Sequence, residues 1–120
     1  MTSPGWFAAV GCAVLLIVID SVIWAVVSQA ANGASRSHFA GIRLPSLMRS
    51  EDAWHAGHVV ARKVMAPFLV AAAAIAVLSV PLQLAPVAYI AALGLSLVST
   101  VLALGVGAAC ASRAARRLAP

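Results

Sequence analysis

Polar and apolar residues fall in long blocks along this chain, not in the short alternations of a soluble sheet or the mixed faces of a soluble helix. One apolar run extends from about Trp6 to about Val27, a second from about Val64 to about Val80, and a third from about Val87 to about Ala111. Each is near the ~20 residues with which a helix crosses a bilayer core. In hydrocarbon the backbone must satisfy its own hydrogen bonds, which an α-helix does within one segment. The pattern therefore predicts an all-α integral membrane protein. It is a single membrane domain of three transmembrane helices over residues 1–120. A polar connection over about 28–63 contains a short amphipathic or interfacial helix, and residues 112–120 form a basic tail.

Local signals refine these limits. Trp6 and Trp24 lie near the ends of the first run, where amphipathic rings favour the membrane interface. That run stops at Ser28 and Gln29, and Asn32-Gly33 reads as a turn. Ser50 followed by Glu51 and Asp52 is a helix start, with an N-cap hydroxyl and two carboxylates against the positive end of the helix dipole. This helix is expected to merge with the second span, either kinked at Pro67 or divided there. Ala71 to Ala74 offer a small-residue patch, and Gly105 with Ala109 and Gly107 with Ala111 have small-xxx-small spacing. Pro81 and Pro86 bracket a short uncharged hairpin.

Composition agrees with this picture. Of 120 residues, 63% are hydrophobic and 9% charged, with a mean hydropathy of +1.03, too apolar to cover a soluble domain. The net charge of +5 would suit nucleic acid on a folded polar surface, but here the basic residues flank apolar runs and no groove-reading motif is present, so no nucleic-acid partner is expected. The N-terminal end and the 82–85 hairpin carry no Lys or Arg, whereas the long connection and the tail carry all of them. The positive-inside rule then puts the N-terminus outside and the loop and C-terminus in the cytoplasm. The first run lacks the basic flank of a signal peptide, and neither end carries a lipidation motif. Cys12 and Cys110 read as small packing residues.

Candidate chemistry is sparse. Asp20 lies inside the first apolar run, about two turns from its cytoplasmic end. A carboxylate at that depth costs roughly 2.5–3.5 kcal/mol on insertion scales and needs a partner, for which Arg43, His58, Arg62 or Lys63 are candidates from the cytoplasmic side. It reads either as a proton or cation site or as a structural ion pair. Glu51, Trp54 and His58 share one helix face, with His55 beside it. Their spacing is not that of a zinc motif, and the plain reading has Trp54 as a headgroup anchor and His58 hydrogen-bonded to a loop carbonyl. No nucleophile–base pair, phosphate loop or carboxylate pair is present, so neither enzymatic activity nor a metal or other cofactor is expected.

The segments Gly41-Ile42-Arg43-Leu44-Pro45, Ser50-Glu51-Asp52-Ala53-Trp54 and His58 together resemble the signature of the SdpI family. In that family a Gly-Ile-Arg element precedes a short helix with Glu, Trp and His at this spacing. The resemblance places the motif on Gly41, Ile42, Arg43, Pro45, Glu51, Trp54 and His58 and implies a bacterial cytoplasmic membrane protein. It further implies immunity to a secreted toxin, or signalling by holding a regulator at the membrane, through the 36–63 loop. Val59 stands where the family usually has a basic residue, and the founding member has further N-terminal spans. Two other functions fit the residues: an accessory subunit of a larger membrane complex, and a small proton-coupled transporter using Asp20. The expected partners are the lipid bilayer and a peptide toxin or a membrane protein, and the small-residue faces also suit a homo-oligomer.

Overall fold

The computed structural model describes residues 4–33, 42 and 44–118. Its helices are α1 (Trp6–Ala31), α2 (Pro45–Met48), α3 (Glu51–Leu82) and α4 (Pro86–Arg116). Three of them, α1, α3 and α4, are long and apolar enough to cross a membrane. The protein is a multi-pass membrane protein. The helix that starts at Ser50 and the second apolar run are one continuous helix of 32 residues, about 48 Å long at 1.5 Å per residue. That exceeds the ~30 Å hydrocarbon core. The charged side chains of α3 all lie in its first thirteen residues, 51–63, so this excess falls at the basic end of the bundle.

α3 is the central helix. α4 runs antiparallel along one flank and α1 along another, while α1 and α4 meet at few points. The buried residues explain why the helices come so close. On α3 they include Gly57, Ala61, Ala72 and Ala76, and on α4 Ala92, Ala103, Gly107 and Ala111. Water gives no hydrophobic drive between helices in lipid, so close backbone approach and interhelical hydrogen bonds take its place. A Cβ added at Gly107 would stand 2.5 Å from Met65 Cγ. Mid-span, the Ser96 hydroxyl donates to the Ala72 carbonyl at 2.8 Å and the Ser99 hydroxyl to the Phe68 carbonyl at 2.7 Å.

Only part of each small-residue patch expected from sequence is used. Gly107 and Ala111 are buried, but Gly105 and Ala109 face outward, because two residues along a helix rotate the side chain by about 200°. Likewise Ala72 is buried while Ala71 and Ala74 are exposed. Pro67 and Pro81 both lie inside α3 without ending it. Pro86 occupies the first turn of α4, where a missing N–H costs nothing. α1 continues past Ser28 and Gln29 to Ala31 and ends at Asn32-Gly33, where Gly33 has φ +110. A residue with a side chain rarely takes that conformation.

Candidate functional site

At the basic end, three short segments are tied together around His58. Ser50 caps α3 by accepting from the Ala53 N–H at 3.0 Å. This fixes the first turn, from which Trp54 and His58 project one turn apart on the same face. Both are buried, at 2% and 0% exposure, with ring centroids 4.1 Å apart. The Ile42 N–H donates to His58 Nε2 at 2.9 Å. A backbone N–H can only donate, so Nε2 must carry a lone pair and the ring is neutral with its hydrogen on Nδ1. Nδ1 then donates to the Trp54 carbonyl at 2.7 Å. Burial pushes the His58 pKa below its ordinary value, with His55 adding to the shift and the Trp54 carbonyl opposing it.

The short helix α2 joins this cluster to α4. Pro45 stands at its first turn, where its ring presets φ. Leu47 is fully buried in the notch left by Gly57: a Cβ there would meet Leu47 Cδ2 at 2.6 Å and the Ala111 carbonyl at 3.2 Å. Ser46 and Ser112 share a hydrogen bond of 2.8 Å, and the Arg49 guanidinium donates to the Ala115 carbonyl at 3.2 Å. That last contact places a cation on the negative end of α4. α1 is attached at the same level. The Arg62 guanidinium donates to Asn32 Oδ1 at 2.7 Å, and His55 Nδ1 lies 3.4 Å from the Ala30 carbonyl.

Several expectations change here. Trp54 is a buried ring packed at a tilt on His58 and within one core cluster with Leu47 of α2, not a headgroup anchor. His58 meets a loop N–H and its own helix carbonyl, not a loop carbonyl. With both ring nitrogens committed, it has no lone pair free for a metal. Asp20 takes a hydrogen bond from Thr100 of α4 at 2.6 Å, and among the described residues it is not hydrogen-bonded to His58, Arg62 or Lys63. The reason is axial distance. Arg62 holds Asn32, which lies twelve residues beyond Asp20 and hence about 18 Å further along α1.

Of the motif residues, the structure brings Ile42, Trp54 and His58 together and places Pro45 and Glu51 at the first turns of α2 and α3. Gly41 and Arg43 lie outside the described residues. Sequence reasoning missed Ser46, Leu47, Gly57 and Ser112, which dock α2, and Ser96, Ser99 and Thr100, which link α4 to its neighbours. For the last three a signal was present: hydroxyls at i, i+3 and i+4 within an apolar run share one face of a membrane helix.

The family model described as the SdpI/YfhL protein family matches residues 34–111. That range takes in the clasp around His58, all of α3 and most of α4. No curated protein and no solved structure matches the chain.

Proposed function

The chain belongs to the SdpI/YfhL protein family, and on that footing we propose that it is a small, non-enzymatic bacterial membrane protein acting in toxin immunity or membrane signalling through its 36–63 loop. In this reading the basic end faces the cytoplasm and the N-terminus lies outside. The observation that carries the reading is the Ile42–His58–Trp54 cluster. Motif residues sixteen positions apart in sequence are joined by the hydrogen bond from the Ile42 N–H to the His58 ring, and α2 is pinned to the end of α4. A loop held on two membrane helices at once is suited to convey an event at the membrane to a partner at its surface, or the reverse.

The test is survival of a sensitive bacterium that expresses the chain and is challenged with secreted membrane-active toxins. Protection by the native chain is expected, with its loss in Arg43→Ala and in Trp54→Ala while both variants still insert. Normal protection in both would remove the loop from the mechanism. No protection from a correctly inserted native chain would remove immunity as the function.

A further inference from the structure

Asp20 is 4% exposed, and only one of its oxygens is provided for. Thr100 donates to Oδ1 at 2.6 Å, while Oδ2 is buried with no hydrogen-bond partner among the described residues. Among the described residues, Arg49 is engaged with the Ala115 carbonyl and Arg62 with Asn32, and His58 is neutral and committed to Trp54 and Ile42. A carboxylate in apolar surroundings calls for a compensating positive group.

Asp20 also lines a groove of about 410 Å³ between α1 and α3, within the size range of sites for small organic molecules. Ser21 and Trp24 line it from α1, and Leu69, Val70 and Ala73 from α3. Ser21, Trp24 and Val70 are exposed on the outer surface of the bundle, so the groove opens toward lipid. One carboxylate, one indole and aliphatic walls suit a positive charge carried on an apolar body. The carboxylate supplies the counter-charge, and an indole face attracts cations.

We propose that this groove binds an amphipathic organic ammonium ion, which enters from the lipid side and pairs with Asp20. Thr100 is a positioning residue: its hydroxyl holds Oδ1 at 2.6 Å, which leaves the buried Oδ2 as the oxygen for the ammonium ion to reach as it enters the groove. The site is separate from the loop cluster and does not rest on the immunity reading.

The test uses the full chain in phosphatidylcholine nanodiscs and radiolabelled phenyltrimethylammonium in equilibrium dialysis, with uptake by empty nanodiscs subtracted. One saturable site per chain is expected. Asp20→Asn should weaken binding at least tenfold and Thr100→Val several-fold, with Thr100→Ser restoring it. Ser79→Ala, toward the other end of α3, should leave it unchanged. Should Asp20→Asn fail to fold, Ala73→Leu, which fills the groove, decides the matter by abolishing binding in a folded chain. Absence of saturable binding to the native chain overturns the proposal, as does undiminished binding in folded Asp20→Asn or Ala73→Leu.

Discussion

Gly57 shows how much one absent methyl group can decide. Leu47 occupies the place where its Cβ would be, with the Ala111 carbonyl just behind. Gly57→Ala should therefore push α2 off the bundle and cost about 1–3 kcal/mol, the usual penalty of overpacking. Thermal unfolding in detergent measures this, with Gly11→Ala and Gly94→Ala, which have open space at the same position, as near-neutral comparisons. His58 carries a pH dependence of definite sign. Its pKa in the folded chain is lowered from 6.5, so the unfolded chain takes up a proton more readily. The stability it contributes is full above about pH 6.5 and is lost as pH falls through that value towards the folded pKa. Protonation at Nε2 also removes the acceptor for the Ile42 N–H. Amide exchange at Ile42 is expected to be slow at pH 7.5 and to quicken at pH 5.5 beyond the intrinsic change. Equal protection at both values would contradict this.

At the scale of elements, the α3–α4 pair rests on small-residue packing supplemented by two serine hydrogen bonds. Ser96→Ala and Ser99→Ala should each destabilise the pair by roughly 0.6 kcal/mol and by no more than about 1.7 kcal/mol, the range measured for such bonds within membranes. Unfolding titrations in mixed micelles give these values. The helices themselves were legible in the sequence because membrane spans advertise themselves by length and apolar content. Ser50, Asn32-Gly33 and Pro86 marked helix ends, since caps, turns and prolines act locally. What stayed hidden was rotation and pairing. Four consecutive alanines do not say which one faces a neighbour, and α4 offered two small-residue pairs of equal spacing. The merger of the Ser50 helix with the second span was legible. Pro67 left a kink or a division open, because packing as well as local geometry decides whether a proline is tolerated within a membrane helix. At the site, the common face of Trp54 and His58 could be read from their spacing. Their burial could not, because it depends on what docks against this face of α3 from other parts of the chain, such as Ile42, whose N–H reaches the His58 ring. The link between Asp20 and Thr100 spans 80 positions, and nothing in either local pattern points to the other.

For the whole molecule, the proposed orientation makes the two ends distinguishable. With Cys12 and Cys110 replaced by serine, a single cysteine at Leu84 should react with a membrane-impermeant maleimide on intact cells. One at Arg117 should react only after permeabilisation. The reverse pattern would invert the proposed topology. The family motif assembles around a neutral His58 that bridges residue 42 to α3. Nitrogen NMR of the chain in nanodiscs, with labelled histidine, tests this arrangement most directly at pH 7.5. A protonated Nδ1 and an unprotonated Nε2 that accepts from the Ile42 amide are expected. A hydrogen on Nε2, in either the other tautomer or an imidazolium, would contradict the account.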